Sequence, residues 1–139
     1  MKIYRFETAA SVPAAKLFRA ITAIARWAEW DPELEGTAHD GALNSGARFT
    51  LKPKGGPKVA MEIVEASAPT RFVDVAHLPL AKMRTSHEFQ ETLGQTRVVV
   101  TIEVGGPLGF LWDRIVARKQ AAGAREQTER FIAFARSLP

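Results

Sequence analysis

The sequence predicts an α+β fold: a curved antiparallel β-sheet of about six or seven strands around one long C-terminal helix, with two short helices after the first strand. Three observations predict it. Between Pro32 and Val104, short β-rich segments alternate with Gly-, Pro- and Asn-containing turn clusters, the texture of an antiparallel meander. After Pro107 the chain runs to residue 137 without another proline and is rich in Ala, Leu, Arg, Gln and Glu, which suits one long helix. Ahead of the meander, apolar residues recur at helical spacing between residues 11 and 30.

The first segment, "KIYRFETA", mixes β-favouring residues with charges and reads as a strand. In "ASVPAAKLFRAI", Ser11 is placed to cap a helix, Pro13 suits its first turn, and Leu17, Phe18 and Ile21 form its apolar face. "TAIARWAEW" reads as a second short helix opened by Thr22. Trp27 and Trp30, two of the three tryptophans, sit three residues apart and project from neighbouring points on one face. Pro32 then forces Asp31 out of helical geometry. The two indoles either anchor the helix to a core or wall a pocket.

"DGALNSG" and "KPKGGPK" are turn clusters, and "TLGQ" is a hairpin signal. The strands are "ARFTLK", "KVAMEIVEA", "TRFVDVAHL", "KMRTSHEFQE" and "TRVVVTIEV". Alternation puts Met83, Thr85, His87 and Phe89 on one face and Lys82, Arg84, Ser86 and Glu88 on the other. In the last strand, Val98, Val100, Ile102 and Val104 face one way; Arg97, Val99, Thr101 and Glu103 face the other. One face should meet a core and the other water. Beyond "VGGP", Leu108, Leu111, Trp112 and Ile115 form a first helical stripe, and Phe131, Phe134, Ala135 and Leu138 a second. The middle, "KQAAGAREQ", is small and polar. Gly123 there costs about 1 kcal/mol against Ala, so the helix bends at that point or something packs close. A small-waisted helix across a concave sheet cannot fill it, and an internal cavity is expected.

Composition bounds the function. The 139 residues suit one domain, 1–139, with 46% hydrophobic and 24% charged residues, the balance of a globular chain. The absence of cysteine excludes disulfides, thiolate metal sites and a cysteine nucleophile. The net charge is +4, but the basic residues are spread among acids without interleaved aromatics, so nucleic acid is not an expected partner. "MKIYRFETAA" has no apolar signal core and no run reaches membrane-spanning length; a cytoplasmic protein, monomer or homodimer, is expected.

Chemistry-bearing residues are few. His39, His77 and His87 lie on separate segments without metal-ligand spacing, so no metal site and no cofactor is expected. His39 precedes a turn and reads as exposed, and His77 sits at a strand end. Only His87 falls on a predicted core face, as a hydrogen-bonded core residue or as a polar reader of a ligand. Asp74 shares alternation with Phe72, but Val73 and Val75 compete for the buried face. A solvated Asp74 on the outer face is the favoured reading; in an apolar cavity it would be a weakened acid able to act as a base. His87 and Asp74 are thus the catalytic candidates. Ser86 cannot form a dyad with its neighbour His87, because adjacent strand residues face opposite sides. "GGPLG" lacks the Lys-Ser/Thr of a phosphate loop. Arg118 and Lys119 read as solvated, with Lys119 the alternative for gripping an acidic ligand group. The cavity wall is then expected from Trp27 and Trp30, from Phe49, Met61 and Phe72, and from Met83, Thr85, His87 and Phe89. Val98 and Val100 extend it, and Trp112, Ile115 and Lys119 close it from the helix.

The order of "SVPAAKLFRAITAIARWAEWDPELEG", "DGALNSGARF", "EASAPTRFVDV", "SHEFQETLGQTRVVVTIEVGGPLGFL" and the terminal helix resembles the helix-grip superfamily of START-type lipid-transfer domains, birch-pollen-type allergens and polyketide cyclases. The nearest resemblance is to its polyketide cyclase/dehydrase-like branch, and it covers nearly the whole chain. It implies a pocket for an apolar or amphipathic small molecule and no single reaction, since members include binders, transporters, cyclases and aromatases. The expected function is binding of a polyketide-, lipid- or aromatic-like ligand. A cyclase- or dehydratase-like enzyme using one or two pocket polar groups is the alternative. A protein-partner module on the same fold, signalled by an exposed apolar patch on the sheet, is a second alternative.

Overall fold

The computed structural model describes residues 1–39, 41 and 44–139; part of the "DGALNSG" turn lies outside the described residues. Seven antiparallel strands form one sheet in the order β1-β7-β6-β5-β4-β3-β2. They are β1 (Lys2–Ala10), β2 (Leu34–His39), β3 (Arg48–Pro53), β4 (Val59–Ser67), β5 (Arg71–Leu78), β6 (Ala81–Thr92) and β7 (Gln95–Gly105). Strands β2 to β7 follow one another as hairpins, and β1 joins the far edge by pairing with β7. β2, whose residues "LEGTAH" include only one large apolar side chain, is the strand that the sequence pattern does not reveal.

The helical elements depart from expectation in their caps. Helix α1 (Ala14–Thr22) starts after Pro13 without a side-chain cap from Ser11. Instead, the Glu91 carboxylate at the end of β6 accepts the Ala14 N–H at 2.7 Å, which ties the helix start to the sheet. Thr22 closes α1 rather than opening the next helix: its hydroxyl donates back to the Phe18 carbonyl at 2.9 Å. The next element, Ile24–Glu29, is a 3₁₀ turn.

The terminal helix is broken. It comprises α2 (Gly109–Trp112), a π-helical turn (Asp113–Ala117), α3 (Arg118–Ala122) and α4 (Ala124–Ser137), with the chain leaving helical geometry at Gly123 (φ −94°, ψ 5°). The π turn holds an extra residue and rotates the helix beyond it. Asp113 and Ala117 are buried and face inward, while Leu111 and Ile115 (46% exposed) face outward. The expected first stripe is corrected accordingly. The second stripe holds: Phe131, Phe134 and Ala135 are buried.

The convex face of the central sheet carries the charged side chains and meets water, as expected, yet part of it is buried. On the convex side Val73, Val75 and Val99 are buried with no second layer over them. Their cover is a lattice of long side chains: Arg71 pairs with Glu65 and Glu88, each at 3.0 Å, and Arg97 pairs with Glu7 at 2.6 Å. The aliphatic stems shade the valines while the charged heads stay wet.

On the concave side, aromatic rings join helix to sheet. Trp27 packs against Phe49 (5.5 Å between centroids) and Phe72 (6.4 Å), and Trp30 against Phe131 (5.3 Å). Phe131 also stacks on Phe89 at 6.1 Å. At the end of the sheet, Gly106 (φ 108°) lets β7 turn against the β5–β6 turn; a Cβ there would meet the Ala81 Cα and Leu80 carbonyl at 2.9 Å.

Because Phe131 bridges the lid ring Trp30 and the sheet ring Phe89, Phe131→Ala should cost about 3–5 kcal/mol in denaturant unfolding. A loss below about 1 kcal/mol would show that the helix is held elsewhere.

Candidate functional site

The site is built on β5 and β6. Their register sets Phe72 opposite His87, Asp74 opposite Thr85 and Ala76 opposite Met83. With the strict alternation of a pleated strand, these six side chains share the concave face. Asp74 therefore points inward, which corrects the outer-face reading. No bulge in β5 is needed; the irregularity lies in β4, between Ile63 and Glu65. Val73 and Val75 gain their burial on the convex side, beneath the charged lattice, and so do not compete with Asp74.

Asp74 is 4% exposed, between Ile63 of β4 and Thr85 of β6. Among the described residues its carboxyl has no hydrogen-bond or ion-pair partner, and burial pushes it from the ordinary 3.8 up to about 7. His87 is two residues beyond Thr85. Burial holds its imidazole down to about 4, so it is neutral at physiological pH. Its Nδ1 is enclosed without a partner, as is Trp30 Nε1. Both rings pack on Phe131, His87 at 6.3 Å and Trp30 at 5.3 Å.

A second acid, at the far side of the same row, behaves oppositely. Thr85 pairs with Ile102, which pairs with Tyr4 of β1. The Tyr4 hydroxyl donates to Asp113 Oδ1 at 2.6 Å, and Arg118 lies 3.2 Å from Oδ2. The Tyr4 hydrogen bond, with help from Arg118, holds the Asp113 carboxyl below its usual range. Asp113 is thus compensated and Asp74 is not. No sequence signal links Tyr4 to Asp113, 109 positions away. The inward position of Asp113 is equally silent in the sequence.

The terminal helix covers this face unevenly. Over the β3–β5 half, Trp27, Phe49 and Phe72 fill the concavity, and Trp27 Nε1 donates to the Ile21 carbonyl at 2.9 Å. Over the β1–β6 half, the helix offers Ala117, Ala121 and Ala124 around the Gly123 break. Tyr4, Phe6, Thr8, Thr85 and His87 face that helix yet keep partial exposure. The concave face is therefore less completely covered beside Thr85 and His87 than over the β3–β5 half. Arg125 closes its edge, its guanidinium 5.4 Å above the Phe6 ring.

The remaining expected wall residues divide clearly. Phe49, Met61, Phe72, Phe89 and Val98 are packed core, and Met83 and Val100 lie on the same face as His87 with little exposure. Trp112 sits at the sheet end, its Nε1 donating to the Pro79 carbonyl at 2.9 Å. Ile115 and Lys119 are on the solvent side of the helix and do not belong to the wall; the inward face runs through Gly109, Asp113 and Ala117 instead. His39 is exposed, and His77 lies on the convex side, 3.1 Å from Glu62. Among the described residues no group of three or more His, Asp or Glu could hold a metal ion. A surface groove of about 550 Å³ runs past Trp30, Pro32, Arg130 and Phe134.

A model of the family described as polyketide cyclase/dehydrase and lipid transport matches residues 3–134. Among solved structures, the chain is similar to a hypothetical protein from Helicobacter pylori, with TM-score 0.79 and 11% identity over 96% of this chain and 88% of that one. It is similar to norcoclaurine synthase from Thalictrum flavum, with TM-score 0.76 and 8% identity over 99% and 87%. It is also similar to the di-domain ARO/CYC protein BexL of the BE-7585A biosynthetic pathway, with TM-score 0.71 and 14% identity over 96% of this chain and 46% of BexL. At these identities the shared feature is the fold, which is helix-grip. No curated protein matches the chain.

The two uncompensated groups make opposite demands on pH. Asp74 keeps its proton in the folded state longer than in the unfolded chain, so its contribution is full below about pH 4 and is lost as pH rises through about 7. His87 resists protonation when folded, so its contribution is lost as pH falls from about 6.5 towards 4. Asp74→Asn should therefore raise stability at pH 8, by up to about 4 kcal/mol, and change little at pH 4. His87→Gln should show its benefit at pH 4 and little at pH 8. Thermal melts of both variants at both pH values decide it; equal destabilisation by Asp74→Asn at the two pH values would mean that Asp74 is compensated.

Proposed function

The chain belongs to the polyketide cyclase/dehydrase and lipid transport family, and from that premise we propose that it binds a hydrophobic or amphipathic small molecule, polyketide-, lipid- or aromatic-like, between the concave sheet face and the terminal helix. One observation carries the reading: Asp74, Thr85 and His87 converge on that face, with the His87 Nδ1 unpartnered, beneath a stretch of helix whose inward residues are Ala117, Ala121 and Ala124. A buried polar atom without a partner costs about 1–3 kcal/mol, which a ligand hydroxyl or carbonyl would relieve. The surrounding rings supply apolar contact, and the polar groups fix orientation.

A second reading, a cyclase- or dehydratase-like enzyme, is favoured by the same cluster. Asp74 titrates near neutrality, where a carboxylate can take a proton from a carbon beside a carbonyl. Neutral His87 can donate an N–H hydrogen bond to the carbonyl oxygen as charge develops there. Both groups would act on a substrate held in one folded conformation by the wall.

The test uses aromatic polyketide mimics, flavonoids and fatty acids, read by tryptophan fluorescence and melting temperature. At least one class should bind saturably and raise the melting temperature, since a ligand selective for the native state stabilises it. His87→Phe should then weaken a polar-headed ligand by about 1–3 kcal/mol while the protein still folds. Unchanged affinity in a folded His87→Phe would end the role of His87. For the enzymatic reading, Asp74→Asn should abolish turnover while leaving binding intact, and retained turnover would remove Asp74 from the chemistry.

A further inference from the structure

The exposed large apolar side chains of the described residues are concentrated at one end of the sheet. Leu80 (65% exposed), Phe110 (65%), Leu111 and Ile115 lie there with Met1 and Ile3; only Leu93 is elsewhere, in the β6–β7 turn at the other end. The register proves the grouping. Lys2 pairs with Val104, Lys82 with Gly105 and Leu78 with Ala81, so the start of β1, the β5–β6 turn and the end of β7 coincide. The Leu108 N–H donates to the Leu80 carbonyl at 3.0 Å, and Trp112 Nε1 to the Pro79 carbonyl, so α2 is pinned beside that turn.

Stability within the chain does not explain these residues. Leu80 takes a left-handed turn conformation (φ 55°) without burial, as Leu93 does at the other end (φ 53°), but only Leu80 has further exposed apolar side chains beside it. Ile115 likewise faces outward, next to Leu111 on the helix surface.

The same end is basic. Lys2, Lys82, Arg84 and Arg114 are exposed, and among the described residues none forms an ion pair within 4.0 Å. The convex face differs, because its Arg71 and Arg97 are both paired. The acids of the described residues near this end are Glu103, which faces Arg84 across β6 and β7, Glu62, which pairs with His77 and Arg48, and Asp113, which is buried against Tyr4 and Arg118.

We propose that this end of the protein docks on an anionic lipid surface. Leu80, Phe110 and Leu111 enter the boundary between headgroups and acyl chains, and the unpaired lysines and arginines meet the headgroup phosphates. Protruding turn tips ringed by cations suit shallow insertion, each basic group contributing through the surface potential and each apolar group through burial. The inference stands apart from the ligand reading, since it uses none of the concave-face residues.

Vesicle co-sedimentation tests it, using phosphatidylcholine alone and a 3:1 mixture of phosphatidylcholine and phosphatidylglycerol. The protein should sediment with the anionic vesicles and be released by about 0.5 M salt. Phe110→Ser with Leu111→Ser, and separately Lys82→Glu with Arg114→Glu, should each weaken binding roughly tenfold or more. Leu93→Ser, at the opposite end, should leave it unchanged. If the apolar double variant does not fold, Leu80→Asn, which suits the left-handed turn, gives the same reading. Absence of anionic-vesicle binding overturns the proposal, as does binding equal in all variants. A salt-insensitive dimer in sedimentation velocity that Phe110→Ser/Leu111→Ser dissociates, without vesicle binding, assigns the patch to a second copy of the chain and overturns it equally.

Discussion

Phe131 attaches the terminal helix to the sheet, and the rest of the interior is arranged around that attachment. On one side its ring meets Trp30, the end of the short helical lid; on the other it stacks on Phe89 of β6. With α4 anchored there, the preceding helix must cross the β1–β6 half of the sheet, and it does so with alanines, a glycine break and a π turn. Close packing at one end and thin cover at the other are one constraint seen twice. A helix with large side chains throughout would fill the concavity and leave Thr85 and His87 fully enclosed.

The electrostatics of the interior obey the same division. Two aspartates turn inward at one level of the sheet, but they meet different surroundings. Asp113 receives a tyrosine hydroxyl and an arginine, and stays ionised as part of the scaffold. Asp74 receives neither, so burial alone governs it and its proton is held to near neutral pH. Removing compensation from one acid while supplying it to the other separates a structural carboxylate from a chemically available one, the pattern expected where titratable groups serve a function.

Much of the fold was legible because its signals are local. Turn chemistry at "TLGQ", alternation in β6 and β7 and the proline-free terminal run all report on neighbours within a few residues. Legibility failed where a distant partner decides the outcome. Glu91 caps α1 from the sheet, which no reading of Ser11 could show. Val73 and Val75 are buried on the convex face among ion-paired side chains, so their burial did not compete with an inward Asp74, which the sequence could not show. Ile115 faces outward and Asp113 inward because Asp113 finds Tyr4 and Arg118, partners that the helical pattern of the sequence does not show. His87, by contrast, was legible as an inward residue, because β6 is regular from Ala81 to Thr92 and alternation suffices.

Ligand binding on the concave face centres on the enclosed Nδ1 of His87 as the proposed polar contact. The most direct measurement is the ¹⁵N NMR signal of the His87 imidazole, compared in the free protein and at saturation with a compound that raises the melting temperature. The account predicts a neutral ring in the free protein at pH 6, with a marked change at Nδ1 on binding, while the indole N–H of Trp27, already bonded to the Ile21 carbonyl, stays put. A stabilising ligand that leaves His87 Nδ1 unmoved, or a His87 that titrates near 6.5 in the free protein, would contradict it.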